Sequence, residues 1–302
     1  SSGVSVVFRC STPFILTNNT FIHPGSGWLA RTCNWLANCQ PVLTTRRTIL
    51  SRLPFVTLES DVVEVVYLNW LVPRELAAPH VPPGVTLYER NGKTILTVLT
   101  YRHSHFGPAF LGPLRKLFPS PLQSNWRFYL EPLQTVQNSA RHTGPCVLFI
   151  KNSFDSLLYA LITRLCSDAL PSHLAASLTH AHDGNRFTTE LKGGHGSAPD
   201  LYSQCHHLDK AELPPEWQPI FANWREAIAY LTLQESAIAQ MPGTTRLAQA
   251  GIDLPIPQDQ VMPLTSTDYR PGELLTSLGA TGEPFCFTVP KVKFKVLWET
   301  VL

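Results

Sequence analysis

Val85-Thr-Leu-Tyr-Glu-Arg-Asn91-Gly92-Lys-Thr-Ile-Leu-Thr-Val-Leu-Thr-Tyr101 sets an Asn-Gly dipeptide between two runs rich in β-branched and aromatic residues. Asn and Gly tolerate the two successive positive-φ conformations that a tight hairpin turn requires. The stretch therefore predicts a hairpin with arms Val85–Tyr88 and Thr94–Tyr101. Working outward, Val62, Val63, Val65 and Val66 form a further β-branched run, although the interposed Glu64 also permits a helix. Asn125–Leu130, Cys146–Ile150 and Phe187–Leu191 read as strands, and Lys291 to Lys295 alternates strictly, giving a last strand with one basic face. Leu157, Leu158, Leu161, Ile162 and Leu165 recur at helical spacing, as do Trp217, Ile220, Phe221, Trp224, Ile228 and Leu231 within Pro215–Gln240. The fold class expected is α+β, a strongly bent antiparallel sheet with a few packed helices.

The chain has 302 residues, 44% hydrophobic and 15% charged, with a net charge of +2. That length gives ample core, and the near-neutral balance makes no case for nucleic acid as a partner. A surface so poor in charge is easily buried against other protein subunits. The average hides an asymmetry, because no Asp or Glu precedes Glu59, whereas Arg9, Arg31, Arg46, Arg47 and Arg52 do. The division expected is a basic extension (1–60), acid-free as far as Glu59, a barrel domain (61–240) and a Pro/Gly-rich wrapping tail ending in a strand (241–302). The extension and tail are expected to lie across neighbouring subunits or a membrane surface, with Arg46, Arg47 and Arg52 as contacts to acidic partners or anionic lipid headgroups. An acid-poor, Arg- and Ser-rich beginning points to a mitochondrial location, with the cytoplasm as the other choice. The seven cysteines (10, 33, 39, 146, 166, 205 and 286) are odd in number and form no CxxC pair, so reduced thiols are expected. No apolar run reaches the roughly 18–20 residues that a membrane-crossing helix needs.

Several constellations bear on chemistry. His103-Ser-His105, His180-Ala-His182 with Asp183, and Cys205-His206-His207 put pairs of ligands on one side of a strand. Their spacing matches no standard zinc signature, so no metal and no cofactor are expected. Ser172 and His173 are adjacent, and on an extended chain they point to opposite faces, so they are poorly placed for a nucleophile–base pair and read as a turn serine and a surface or cavity histidine. Asn125, Arg127 and Tyr129 alternate on one strand face, a polar row able to hold a carboxylate ligand. A buried structural Arg–carboxylate pair is the equal alternative. Gly193-Gly-His-Gly196 lacks the Lys-Ser/Thr of a phosphate loop and reads as a turn.

In Leu161-Ile-Thr-Arg-Leu-Cys-Ser-Asp-Ala-Leu-Pro-Ser-His-Leu-Ala175, the frame of Arg164, Leu170, Pro171, Leu174 and Ala175 resembles the active-site stretch of acetoacetate decarboxylase. Asn69-Trp-Leu-Val-Pro73 followed by Val81-Pro-Pro-Gly-Val85 is similar to the opening of the YqjF-like branch of the acetoacetate decarboxylase-like superfamily. Gln123-Ser-Asn-Trp-Arg-Phe-Tyr-Leu130 is similar to its central strand, with Gln123 in place of the usual Glu. Gly144–Ile150 with Ser156-Leu157 resembles the strand and turn that follow. The resemblance covers about residues 67–235 and implies that the sheet closes into a barrel-like core with Asn125, Arg127 and Tyr129 facing its pocket. It also implies that Ser172 and His173 occupy the places of the lysine pair, the first of which forms the family's Schiff base. No catalytic residue is then expected.

Two functions follow as expectations. One is a catalytically degenerate acetoacetate decarboxylase-like domain serving as an accessory subunit of a larger assembly, a mitochondrial inner-membrane complex such as a respiratory complex or ATP synthase. The other is a binder or enzyme that takes a carboxylate- or ketone-bearing ligand in the barrel.

Overall fold

The computed structural model describes residues 19–132 and 144–302. Arg9 and Cys10, noted above in the extension, lie outside the described residues. The chain opens with two helices, α1 (Trp28–Asn38) and α2 (Gln40–Leu50), and then enters the long strand β1 (Leu58–Pro73). There follow α3 (Arg74–Ala77), β2 (Lys93–Pro108), a 3-10 segment (Ala109–Leu117), β3 (Leu122–Tyr129), β4 (Cys146–Phe154) and α4 (Leu157–Cys166). Short β5 (His173–Leu174) leads to β6 (Ser177–Asp183), β7 (Arg186–Lys192) and β8 (Leu201–His207). Beyond these come α5 (Trp224–Thr232), β9 (Ser236–Gln240), β10 (Leu247–Asp253), β11 (Met262–Pro271), α6 (Glu273–Ser277), β12 (Phe285–Val289) and β13 (Val292–Val301).

Seven strands close a ring in the order β1-β2-β3-β4-β9-β10-β13, with β13 returning to β1. All the pairings are antiparallel except β4–β9, so the barrel is mixed. The edge of β1 that β13 occupies over residues 58–62 is taken from Val65 onward by β12, from which β11, β8, β7 and β6 extend the sheet outside the ring. Strand alternation separates two apolar clusters across β1–β4. One gathers Trp126, Phe128 and Leu148 with Leu178, Phe187 and Leu201 of the outer strands. The other gathers Tyr67, Tyr101, Tyr129 and Val147 with Trp217, Phe221 and Ile228 around α5.

The expected turn is present: Asn91 and Gly92 have φ of 53° and 74°, and Arg90 and Lys93 bridge across them. Its first arm does not pair with the second. Both edges of β2 are taken, by β1 and β3, and residues 86–88 pair instead with the end of β3 through Leu87–Leu130 and Tyr88 N–H to Tyr129 O. The valine run is strand, with a bulge at Glu64 (φ 55°). Pro215–Gln240 is helical only in part, since Ser236–Gln240 is the strand β9. Residues 241–302 supply β10 and β13 to the ring itself, so the barrel does not end at 240.

The described part of the extension is packed on the same body. α1 and α2 rest on α4, and the fully buried Arg164 of α4 donates to Ala37 O (3.0 Å), Asn38 Oδ1 (3.2 Å) and Asn19 O. Arg46 and Arg47, expected to reach outward, both grip the buried Asp168, Arg47 Nε at 3.0 Å. The cause is electrostatic: a buried carboxylate needs counter-charge, and two guanidiniums of one helix turn supply it. Arg52 is exposed.

Candidate functional site

Asn125, Arg127 and Tyr129 share one face of β3, as alternation requires. β2 and β1 add Tyr101, Thr97, Tyr67 and Asn69 to that face through the registers Tyr67–Leu99–Asn125 and Asn69–Thr97–Arg127. Arg127 is the centre of the group, 1% exposed. Its guanidinium stacks over the rings of Tyr67 and Tyr129, 5.5 and 5.6 Å from their centroids. It donates to Gln234 Oε1, to Tyr129 Oη (3.3 Å) and to Leu231 O (3.4 Å), and Tyr129 itself donates to Leu231 O (2.5 Å).

Those acceptors come from the end of α5. The helix is set by Asn223, whose side chain accepts the Glu226 N–H (3.0 Å), while Glu226 accepts the Ala222 N–H (2.6 Å). Ala227, Ile228, Leu231 and Thr232 form its buried stripe. Its C-terminal Leu231 carbonyl then meets the cation, the favourable sense of the helix dipole.

Among the described residues, Arg127 meets no carboxylate. A buried charge with only neutral partners is costly, and three atoms around it lack a well-aligned hydrogen-bond partner among the described residues: Arg127 Nε, Asn125 Oδ1 and the Tyr67 hydroxyl, which is nonetheless near enough to the guanidinium to interact with it. Burial raises the pKa of Tyr67 and Tyr101, with Arg127 pulling the other way, so both phenols are neutral donors near pH 7. A cavity of about 300 Å³ lies beside this group, bounded by Tyr88, Tyr129, Leu130, Cys146, Tyr230 and Leu233, with Tyr129 common to both.

Farther along the same face runs a continuous hydrogen-bonded row. Ser60 Oγ meets His103 Nδ1 (2.6 Å), His103 Nε2 meets Gln123 Oε1 (2.5 Å), and Gln123 Nε2 donates to Asn152 Oδ1 (2.5 Å). Asn152 Nδ2 donates to Ser172 Oγ (2.9 Å), which also accepts from Thr163 Oγ1 (2.7 Å). Every member is buried, and burial drags His103 down to about 4, so the row carries no charge at neutral pH. Ser172 is thus held by neutral amide and hydroxyl groups, with no imidazole on it.

His173 points away from Ser172, to the other face, where Nδ1 meets Ser197 Oγ (2.7 Å). Lys151, 7% exposed, pairs in register with Trp126 on that other face and donates to Ser197 O (3.1 Å). Burial, then the Arg164 charge, lowers its pKa to about 7. No sequence signal marks Lys151 as buried, since a lone lysine in a strand reads as an edge or solvent position.

The histidine pairs fall apart. His105 sits at φ 57°, which turns it away from His103. His180 is bonded to Thr189 (2.7 Å) and Glu64 O (2.5 Å), while His182 stacks on Phe187 with His207 at its edge. Among the described residues no group of three His, Cys, Asp or Glu side chains could hold a metal ion. Gly194 (φ 59°) and the Gly196 N–H to Gly193 O bond make 193–196 a turn.

The family model of DUF2071, "Uncharacterized conserved protein (COG2071)", matches residues 61–219. No curated protein matches. Among solved structures, the chain is similar to acetoacetate decarboxylase from Legionella pneumophila, at 10% identity over 82% of this chain and 87% of that one, with a TM-score of 0.56. It is similar to the enduracididine biosynthesis enzyme MppR complexed with pyruvate, at 14% identity over 82% and 91%, TM-score 0.52. An acetoacetate decarboxylase-like enzyme from Sphingomonas wittichii matches at 11% identity over 83% and 94%, TM-score 0.51. At these identities the likeness is one of fold.

Proposed function

The chain belongs to the DUF2071 family, and from that premise we propose that it binds a small oxo carboxylate on the Arg127 face without forming an imine. The observation that carries the reading is the buried guanidinium with neutral partners, its Nε, the Tyr67 hydroxyl and Asn125 Oδ1 all unsatisfied among the described residues. A carboxylate would accept from both Arg127 Nε and Tyr67 and cancel the buried charge. A ketone or hydroxyl on the same ligand would fall toward the cavity beside Tyr129. The solved neighbours bind or act on ligands of this class by name, acetoacetate and pyruvate. Two placements argue against imine chemistry on the Arg127 face. Ser172 cannot form an imine, and Lys151 lies across the sheet from Arg127, because Trp126 and Arg127 alternate.

Calorimetric titration with pyruvate, acetoacetate and the carboxylate-free control acetone tests this. Both acids should bind and acetone should not. Arg127→Gln should weaken the acids by tenfold or more, since a hydrogen bond to a charged group contributes about 1.5–3 kcal/mol. Because that change sits in the core, Tyr67→Phe is the gentler companion: it removes an unsatisfied hydroxyl, so the fold should persist while affinity drops. Equal binding by wild type and both variants would exclude the site. Borohydride added with either acid should leave every lysine unmodified by mass spectrometry.

An accessory role in a larger assembly, including a mitochondrial complex, is the second reading. One observation favours it, the exposed apolar side chains on α1, α2 and the 3-10 segment. Native purification followed by mass spectrometry of co-migrating proteins tests it, and a lone monomer would exclude it.

A further inference from the structure

We propose that the face formed by α1, the end of α2 and the 3-10 segment 109–117 docks on an anionic membrane surface. Trp28 is 72% exposed, Phe110 76% and Leu117 83%, and Trp35 and Leu114 are also mostly open to solvent. These are large apolar side chains that monomeric proteins seldom leave together in water. The elements that carry them are neighbours around α4. α1 and α2 pack on α4, and Tyr159 of α4 donates to Phe106 O (2.8 Å) and Pro119 O (3.4 Å), just before and just after the 3-10 segment. Gly112, at φ 47°, kinks that segment. Of its adjacent cations Arg115 turns inward to Glu59 (2.5 Å), while Lys116 is exposed.

The charge on this face selects the occupant. Neither residues 19–58 nor residues 109–121 contain an Asp or Glu. Arg31, Arg52 and Lys116 are exposed, and none of the three meets a carboxylate among the described residues. Arg46 and Arg47 are spent on Asp168 and add nothing outward. Exposed Trp, Phe and Leu with interspersed cations, and no acid within the segments that carry them, is the chemistry of an element that lies in the headgroup layer of an anionic bilayer. The nearby exposed acid is Asp155, whose carboxylate is held by the Leu122 N–H (3.0 Å). A second copy is a poor fit. A two-fold interface sets a patch against itself, which would bring each of these cations toward its own kind.

The full chain mixed with sedimentable vesicles tests the proposal. It should pellet with phosphatidylglycerol-containing vesicles and stay in solution with pure phosphatidylcholine. Trp28 and Trp35 fluorescence should shift to the blue on binding. Arg31→Gln/Arg52→Gln/Lys116→Gln should weaken binding about a hundredfold, each cation contributing roughly fivefold at an anionic surface. Trp28→Ser/Phe110→Ser/Leu117→Ser, all at exposed positions, should keep the fold and abolish pelleting. Equal binding to neutral vesicles, no binding to either, or light scattering showing a dimer that these serine changes dissolve would each overturn it. Because the carboxylate site lies on the Arg127 face, none of these changes should alter pyruvate titration, which separates this claim from that one.

Discussion

At the scale of single residues, burial without charge decides the chemistry. The row from Ser60 to Ser172 works because each member donates to or accepts from a neutral neighbour, and its one titratable member is held unprotonated. His103 titrates at about 4 here against 6.5 ordinarily, because burial penalises the imidazolium. In that window the unfolded chain binds the proton and the folded chain does not. Stability is therefore complete above pH 6.5 and falls as pH drops, by about 3 kcal/mol at pH 4 for this residue. His173 and His180, also depressed by burial, push in the same direction. Urea unfolding at pH 7.5, 5.5 and 4.5 should show the decline, and His103→Gln should flatten it; an unchanged slope would mean that His103 is not the titrating group. Lys151 has the opposite lesson for a cation. Burial keeps the folded amine neutral down to about pH 7 and forces a buried charge below it, so Lys151→Met should stabilise the protein, and more at pH 6 than at pH 9. A larger gain at pH 9 would contradict the buried-amine account. The alternation of Asn125, Arg127 and Tyr129 was readable from the sequence because strand periodicity fixes it. The partners of Arg127 were not, since Leu231 O and Gln234 arrive from about a hundred residues downstream.

At the scale of elements, helices α1 and α2 escape notice in the sequence for physical reasons. Neither has a side chain bonded at its N-terminus or an acid in its first turn, so apart from Pro41 in the first turn of α2 the usual start signals are missing. Their stability comes from docking on α4 and from charge, above all the clasp of Asp168 by Arg46 and Arg47. Asp168 N–H and Ser167 in turn meet Glu299 of β13 (2.7 and 2.5 Å), tying helix to barrel. Asp168→Asn should cost about 3 kcal/mol, the low end for breaking a buried ion pair because both guanidiniums keep some water contact. Adding Arg46→Gln should recover part of that loss. A single-variant loss below about 0.5 kcal/mol in urea unfolding would show that the clasp is not a fastening. Strands β9 and β10, Ser-Ala-Ile-Ala-Gln and Leu-Ala-Gln-Ala-Gly-Ile-Asp, are equally hard to read. Ala, Gln and Gly have weak strand preference, and only burial in the ring makes strands of them.

At the scale of the whole molecule, the bent, mostly antiparallel sheet was legible because the Asn91-Gly92 turn and the β-branched runs are local signals, while its closure was implied by the resemblance to the acetoacetate decarboxylase-like superfamily. The point of closure was not. β13 joins β1 across more than two hundred residues, and a pairing so distant leaves no mark in either strand. The ring positions a buried guanidinium beside a cavity and, among the described residues, supplies no acid to neutralise it; the proposed oxo carboxylate would complete that arrangement. The most direct test follows the arginine Nε–H resonances by nitrogen–proton correlation NMR while pyruvate is added, with Arg127→Lys to assign the signal. The Arg127 Nε–H, unsatisfied in the free chain, should move downfield and saturate with the ligand, while that of Arg164, already bonded to Ala37 O, stays in place. A saturating ligand that leaves the Arg127 signal unmoved would contradict the account.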